Sequence, residues 1–264
     1  MTEKKTVSAY ERVQMARKQD RPLITDYINN LFDDFIELKG DRLFREDSSI
    51  LGGIALFHGI PVTVIGHKKG RNIEDNVLCN FGMPSPEGYR KAIRLMQQAE
   101  KFNRPVITFV DTPGAYPGIE AEANGQSNAI AESIVLMTEL RIPTISIITG
   151  EGSSGGALAL ASSDRVFMLE NAVYSILSPE GFSSILYKDS HRASEAAELM
   201  KITAEELLEY ELIDGIIPEG KNCIKTIDKM LKSELGRLVP MSKSMLVNSR
   251  YKKIRNFGKQ YCGK

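Results

Sequence analysis

Two passages of the chain follow the same order: an apolar strand-like run, a glycine-bearing turn and a helix-like segment. In the first passage residues 105–110 lead into the turn at 111–118, and in the second residues 143–149 lead into 150–156. Glycine lets the backbone approach a ligand closely and present its N–H groups. Because both turns enter helices, the pair predicts a site built from backbone amides. Such a site binds oxyanions or phosphates without a nucleophilic side chain.

The remaining pattern alternates strands with helices, which predicts an α/β fold with largely parallel strands. The runs at 107–110 and 145–148 are apolar without alternation, as expected for strands covered on both faces. Residues 50–57 and 62–66 predict a hairpin, and residues 67–82 a polar loop. A helix is predicted at 25–38, ending at Gly40. We therefore expect a helical arm at 1–40, followed by one domain at 41–264 that includes C-terminal helices.

Composition excludes several classes of protein. The 264 residues are 42% hydrophobic and carry 34 basic and 34 acidic side chains, so the formal net charge is zero and no nucleic-acid partner is implied. The cysteines Cys79, Cys223 and Cys262 form no CxxC pair, which argues against a zinc site or any metal in this chain. With a polar N-terminus and no run of ~20 apolar residues, we expect a cytoplasmic protein without a membrane span.

The segment 242–264 is basic. It contains no acidic residue, and its cations are Lys243, Arg250, Lys252, Lys253, Arg255, Lys259 and Lys264. A solvated helix end is the favoured interpretation, and contact with an acidic partner or with the phosphates of coenzyme A is the alternative.

The second glycine passage resembles several known motifs only in part. No Lys-Ser/Thr pair follows its last glycine, so it is not a P-loop. As a dinucleotide fingerprint it requires Asp164 or Glu170 to bind ribose, and its strand comes late in the chain. It does match G-x-S-x-G at residues 152–156, with Ser154 as nucleophile. Of the three histidines only His191 follows Ser154, which leaves little room for a hydrolase triad.

Two further interpretations of this passage stay open on the residues alone. One is a purely structural turn. The other is an oxyanion pocket made by the N–H groups of Gly155 and Gly156 at a helix start.

The first glycine passage contains two prolines, which fix φ and hold its amides ready for a ligand. Asp111 either binds a ligand or hydrogen-bonds the backbone of the following turn. Tyr116 is a packing group with a possible functional role inside this rigid turn. The basic run at 67–71 either meets phosphates or a carboxylate, or is a solvated loop.

At these residues the chain resembles the carboxyltransferase alpha subunits of multi-subunit acetyl-CoA carboxylases. The matching strings lie in family order over about residues 10–220, and together they are highly specific. They are Gly40-Asp-Arg42, Gly66-His-Lys-Lys-Gly-Arg71, Asn80-Phe-Gly-Met-Pro84, Pro86-Glu-Gly-Tyr-Arg-Lys91, Ala99-Glu-Lys-Phe102, the runs at 111–118 and 150–157, Gly125-Gln-Ser127, Tyr174-Ser175, Ser178-Pro-Glu-Gly181, Lys201-Ile-Thr203 and the run at 212–219. The chain departs from the family at Ser153, at Leu78-Cys79, after Glu219 and in its short N-terminal arm.

The resemblance implies a crotonase-like (ClpP/crotonase) superhelix of ββα units. It implies transfer of a carboxyl group from carboxybiotin, carried on a separate biotinyl carrier protein, to acetyl-CoA. The product is malonyl-CoA, and the step begins fatty acid biosynthesis. It also implies an alpha2-beta2 heterotetramer, in which a zinc-ribbon beta subunit supplies much of the acetyl-CoA site.

Carried over to this chain, the resemblance implies that the Gly155 and Gly156 amides form the oxyanion hole for the biotin ureido oxygen. The substrate-binding residues it implies are Gly114, Ala115, Tyr116, Gly152, Ser153 and Ser154. Biotin itself acts as the base, so no His/Asp or Cys/His pair is expected. Three alternatives remain: a carboxyltransferase for another acyl-CoA, a serine hydrolase using Ser154, and a non-catalytic interaction subunit.

Overall fold

A mixed eight-stranded sheet forms the centre of the molecule in a computed structural model that describes residues 7–259. Its strands are β1 (Asp33–Glu37), β2 (Ile50–Phe57), β3 (Ile60–His67), β4 (Val106–Thr112), β5 (Thr144–Ser153), β6 (Arg165–Leu169), β7 (Val173–Ser175) and β8 (Gly215–Ile217). The spatial order is β1-β2-β3-β4-β5-β6-β8, and β7 pairs with the end of β5. From β3 onward every pairing is parallel, whereas β1, β2 and β3 are antiparallel. The predicted α/β class and the hairpin are confirmed.

Helices connect the strands and cover the sheet. They are α1 (Ala9–Ala16), α2 (Ile24–Leu31), α3 (Ile73–Leu78), α4 (Pro86–Lys101), α5 (Ile119–Ala123), α6 (Gln126–Glu139), α7 (Ser154–Ala161), α8 (Pro179–Tyr187), α9 (Ala193–Met200), α10 (Ala204–Glu209), α11 (Cys223–Leu238) and α12 (Lys243–Asn256). Single 3-10 turns lie at Asn80–Gly82 and Ser190–Arg192. Within residues 7–259, no helix combines the length and apolar character that crossing a bilayer requires.

Helix α4 shows how the sequence builds this layer. Pro86 stands at the first helical position, where its missing N–H costs no helical hydrogen bond. Apolar side chains then recur on one face, and Leu95, Met96 and Ala99 are fully buried against the sheet. The helix packs on β2 and β3 and against α6, which in turn contacts α7. This stack places the start of α7 against the loop that follows β4.

Helix α1 forms because Ser8 and Glu11 make a reciprocal capping box at its start. Its buried residues Ala9, Val13 and Ala16 pack with Val173 and with Ala197 of α9. The N-terminal helix therefore lies on the main domain. The division of the chain at residue 40 stays a prediction.

The helix predicted at 25–38 is wrong in its second half. Helix α2 ends at Leu31, and residues 33–37 form strand β1, antiparallel to β2. Phe35 and Leu38 kept helical spacing in the sequence, but their backbone pairs with the edge of β2. Pairing partners of this kind override local preference, because strand formation depends on the neighbouring strand. The loop expected at 67–82 also contains a helix, α3, which Asn72 caps by accepting from the Asp75 N–H at 2.8 Å.

The glycine turn expected at 150–156 is wrong as a turn. Strand β5 continues to Ser153, because β7 runs parallel beside its last residues and pairs with them at Gly152 and Ser153. Helix α7 then begins at once with Ser154, which adopts a left-handed backbone with φ of 54°. A single residue in this region of φ makes the whole reversal from strand to helix.

The basic C-terminal segment is solvated only in part. Lys243, Lys252 and Arg255 are exposed, as expected. Arg250 is fully buried, however, with its guanidinium bound to both oxygens of Asp164 at 2.9 and 2.8 Å. The expectation of a solvated helix end is wrong for Arg250, because α12 packs back on the sheet domain. Cys262 and Lys264 lie outside the described residues.

Candidate functional site

The loop that follows β4 meets the first turn of α7 at Gly156. A Cβ added there would stand 2.8 Å from the Tyr89 hydroxyl, 2.9 Å from the Ala115 nitrogen and 3.0 Å from the Gly114 carbonyl carbon. These distances are too short for a side chain, so only glycine fits. The meeting follows from topology, because the carboxyl ends of neighbouring parallel strands lie at one edge of the sheet. The structure thus brings together Gly114, Ala115 and Gly156 as the sequence predicts.

This corner gathers backbone N–H groups from the start of α7 and from the loop after β4. Gly155 and Gly156 are the second and third residues of α7, where a helix leaves N–H groups without intrahelical acceptors. The Ala115 N–H, in the loop, makes no hydrogen bond within residues 7–259. The positive end of the α7 dipole lies at the same place. The corner therefore offers donors and positive potential to a negatively charged oxygen.

The loop after β4 is held rigidly by hydrogen bonds. Thr112 Oγ1 accepts from the Gly114 N–H at 3.1 Å, and the Tyr116 N–H donates to the Pro84 carbonyl at 3.0 Å. The buried Gln126 side chain donates to the carbonyls of both Pro84 and Tyr116, each at 2.9 Å. Donors fixed in this way need little reorganisation when a ligand arrives. Gln126 was missed as a site residue, although the Gly125-Gln-Ser127 string contains it.

Tyr89 was also missed. Its ring is fully buried behind Gly156, and its hydroxyl has no hydrogen-bond partner among the described residues. Burial raises the pKa of this phenol well above its ordinary value, so the hydroxyl stays protonated. The sequence signal was a tyrosine at the inner face of α4, which alone does not distinguish a site residue from a core residue.

A largely apolar cavity of about 950 Å³ opens beside the start of α7. Ser154 and Gly155 line it, and so do Tyr174 and Ser175 of β7. Other lining residues come from α7, α8, α9 and the end of α12, among them Leu158, Phe182, Leu199 and Phe257. Gly152 and Ser153, in contrast, are buried within β5 behind this surface. Their predicted contact with substrate, and that of Tyr116 on the other loop, stays a prediction.

Ser154 has the strained backbone of a nucleophile elbow and is exposed, but its surroundings do not provide a base. His58 is bound to Asp228 at 2.7 Å on another part of the surface, and among the described residues neither ring nitrogen of His67 has a hydrogen-bond partner. Across residues 7–259, no hydrogen bond joins Ser154 to a histidine. A serine hydrolase needs that contact, so the geometry disfavours this alternative.

His67 ends strand β3 and is fully buried, so the solvated loop, one of the two alternatives for residues 67–71, does not include it. Burial lowers its pKa to about 4, and the nearby Asp111 carboxylate offsets only part of that effect. The imidazole is therefore neutral at physiological pH. It does not serve as the phosphate ligand that the sequence suggested for this basic run.

Asp111 and Lys69 form an ion pair at the site, with Oδ1 2.6 Å from Nζ. The same oxygen accepts the Glu151 N–H at 3.0 Å. The sequence suggested that Asp111 hydrogen-bonds its own following turn, but it bonds the neighbouring strand instead. In the described range, no group of three or more His, Cys, Asp or Glu side chains is arranged to hold a metal ion.

Comparison with known proteins gives a consistent result. The family model described as acetyl co-enzyme A carboxylase carboxyltransferase-like matches residues 2–258. The chain is 53% identical to the acetyl-coenzyme A carboxylase carboxyl transferase subunit alpha of Clostridium acetobutylicum, covering 98% of this chain and 97% of that one. It is 52% identical to the fused carboxyl transferase subunits beta/alpha of Clostridium tetani, covering 97% of this chain. The chain spans only 46% of that fused protein.

Among solved structures, transcarboxylase 12S with methylmalonyl-coenzyme A and methylmalonic acid bound superimposes with a TM-score of 0.71. The match covers 90% of this chain and 46% of that one, at 17% sequence identity. At 17% sequence identity the superposition is evidence of a shared fold only. It confirms the crotonase-like fold expected from the sequence.

Proposed function

Because the chain belongs to the acetyl co-enzyme A carboxylase carboxyltransferase-like family, as an alpha subunit, we propose that it catalyses carboxyl transfer from carboxybiotin to acetyl-CoA. The product is malonyl-CoA, which makes the reaction a committed step of fatty acid biosynthesis. The observation that carries the proposal is the corner where the start of α7, with the Gly155 and Gly156 amides, meets the Ala115 amide.

The residues of this corner suit a biotin ureido oxygen. When bound, carboxybiotin supplies the carboxyl group that is transferred and the base for the acetyl methyl proton. The chain contributes the Gly155 and Gly156 N–H groups, which stabilise negative charge on that oxygen, with the α7 dipole behind them. Removing one such donor typically lowers the rate by ~10²–10³. No side chain of this chain acts as the base.

The substrate-binding residues of the proposal fall on two segments, the loop after β4 and the junction of β5 with α7. Gly114, Ala115 and Tyr116 form the rigid wall from β4, and Gly152, Ser153 and Ser154 lead into α7 on the other side. The cavity beside Ser154 and Gly155 is apolar and open, so it shields a reacting group from water only once a partner covers it.

The partner in the proposal is a carboxyltransferase beta subunit. The fused beta/alpha relative supports this pairing, since fusion joins chains that work together. We include in the proposal the alpha2-beta2 assembly, the zinc ribbon on the beta chain, the separate biotinyl carrier protein and the cytoplasmic location. Transfer to another acyl-CoA is the second candidate, supported by the fold shared with transcarboxylase 12S, which was solved with methylmalonyl-coenzyme A.

The test replaces each glycine of the oxyanion pair and measures malonyl-CoA formation by the complex with the beta chain. In Gly156→Ala the new methyl group pushes against the Ala115 nitrogen, so we expect a rate loss of roughly 10²-fold. In Gly155→Val the first added carbon, Cβ, meets only a methyl group of Ile130, at 3.1 Å, so we expect the complex to fold while the branched side chain adds bulk beside the site.

The matched control is Gly236→Ala, on an exposed turn of α11 where a Cβ meets nothing within 4 Å. This variant keeps full activity. Full activity in folded Gly155→Val and Gly156→Ala complexes contradicts the oxyanion assignment. The same assay with acetyl-CoA and propionyl-CoA in parallel decides between the two acyl groups.

A further inference from the structure

The carboxylate of Asp111 joins the ends of three neighbouring strands. Asp111 is the penultimate residue of β4, Lys69 follows β3 by two residues, and Glu151 lies in the last part of β5. Oδ1 of Asp111 accepts from Lys69 Nζ at 2.6 Å and from the Glu151 N–H at 3.0 Å. The Asp111 side chain is only 14% exposed, so these charged hydrogen bonds are shielded from water.

The contact lies at an irregularity of the sheet. Val110 faces Ile148 and Thr112 faces Gly152, so one residue of β4 faces three residues of β5. Ladder hydrogen bonds are disrupted at such a place. The Asp111 carboxylate occupies the space beside Gly150 where a side chain would otherwise stand, and it takes up the Glu151 N–H. The length of the Asp111 side chain therefore sets the path of β5 just before α7 begins.

The far side of β5 is held as well. The Glu151 side chain accepts from Arg17 Nε at 2.7 Å, and Arg17 pairs with Glu180 of α8 at 2.8 Å. Arg17 is the C-terminal cap residue of α1. Glu151 is thus fixed through its backbone by Asp111 and through its side chain by Arg17, three residues before Ser154.

We propose that Asp111, held by Lys69, is a positioning residue for the carboxyl transfer. Its carboxylate fixes the irregular end of β5 and so sets the distance of the Gly155 and Gly156 amides from the Ala115 amide. This inference rests on the oxyanion role proposed above for those amides.

The primary test is Asp111→Asn, which keeps the size of the side chain but removes the charge that holds Lys69. A displacement of the reacting groups by about 1 Å can cost roughly 10²-fold in rate. We expect kcat of the complex with the beta chain to fall by about 10- to 100-fold, with KM for acetyl-CoA changed by less than about twofold. Because partial unfolding also lowers the apparent kcat at constant KM, kcat is expressed per folded complex, with the folded fraction measured by thermal unfolding. A loss of kcat that remains after this correction is one that a general loss of stability does not produce.

The matched control is Asp214→Asn. Asp214 also accepts a backbone N–H, from Val166 at 2.7 Å, and binds Arg165 at 2.9 Å. Its side chain is 13% exposed, nearly the same as that of Asp111, but it lies at β6 and β8, away from the glycine corner. Asp111→Asn loses one ion pair, with Lys69, and Asp214→Asn loses two, with Arg165 and Lys253, yet only Asp111→Asn is expected to lose kcat.

Lys69 provides a second, independent variant. Lys69→Gln should lower kcat as Asp111→Asn does, and the longer cation in Lys69→Arg should restore most of it. Because the two side chains act as a unit, the double variant should be no slower than either single variant. If Asp111→Asn does not fold, as judged by thermal unfolding, Lys69→Gln decides the question.

Wild-type kcat in a folded Asp111→Asn or Lys69→Gln complex overturns the inference, as does an equal loss in Asp214→Asn. The Gly155→Val variant separates this failure from failure of the proposed function. If Gly155→Val is inactive while the Asp111 and Lys69 variants are fully active, only the positioning role is wrong. If Gly155→Val is fully active, the oxyanion role itself is wrong.

Discussion

At the scale of single residues, the site depends on groups that burial keeps in one state. Gly156 has no space for a side chain, and the buried Tyr89 hydroxyl behind it stays protonated. His67 lies close to the backbone of Gly156 and is neutral, because burial holds its pKa at about 4. A neutral ring here adds no positive charge, so this histidine does not contribute to the stabilisation of an oxyanion.

The buried His67 predicts a dependence of stability on pH. The unfolded chain binds a proton at this histidine near pH 6.5, whereas the folded chain does so only near pH 4. The contribution of His67 to the free energy of unfolding is therefore complete above pH 6.5 and is lost as the pH falls toward 4. The total loss is on the order of 3 kcal/mol. In His67→Gln the free energy of unfolding should fall less steeply over this range. Denaturant titrations from pH 7 to pH 4 measure the difference, and identical slopes for both proteins would contradict it.

At the scale of elements, α12 is part of the domain although its sequence is basic and polar. Arg250 is buried against Asp164 and also donates to the carbonyls at the end of α6, including those of Met137 and Leu140 at 3.1 and 2.8 Å. Asp164 in turn accepts from the Thr144 N–H at the start of β5. The helix thus holds together α6, β5 and the turn before β6.

Arg250→Met is expected to destabilise the protein by about 3–5 kcal/mol, because it leaves the buried Asp164 carboxylate and several carbonyls without their donor. Lys252→Met, on the exposed face of the same helix, is the control and should change stability by less than about 0.5 kcal/mol. Midpoints of denaturant unfolding measure both values. A loss of under about 1 kcal/mol in Arg250→Met would show that α12 is not held by this pair.

At the scale of the whole molecule, the site ends at an open apolar surface. Around the cavity Ile176 is 74% exposed and Leu199 58% exposed, and Leu158 and Phe257 are exposed beside them. Apolar patches of this kind mark surfaces that another molecule covers. The chain is therefore expected to supply one wall of a shared site.

Mixing experiments test this expectation. The purified chain alone should form no malonyl-CoA from carboxybiotin and acetyl-CoA, and neither should the beta chain alone. The mixture should be active and should elute as one complex in size-exclusion chromatography. Full activity of this chain by itself would contradict a shared site.

Local patterns were sufficient for the elements whose partners lie nearby in the chain. The start of α4 at Pro86, the β2–β3 hairpin and the first strand–glycine–helix passage follow from turn chemistry and apolar periodicity. In the second passage the strand and the helix were predicted, but β5 continues through the expected turn. The two glycine passages also carry part of the family resemblance. The α/β class and the proposed glycine pair, Gly155 and Gly156, therefore follow from the sequence alone. Strand β1 was misread as helix, because its partner β2 and not its own spacing determines its state.

What the amino-acid sequence determined by itself is the α/β class, the family and the glycine pair that we propose as backbone donors. Only the tertiary structure decided which distant groups bond to one another around them. Asp111 reaches Glu151 across 40 positions, and Arg250 reaches Asp164 across 86. The physical reason is that such contacts are fixed by packing between elements, whereas sequence periodicity reports only on residues within a few turns of one another.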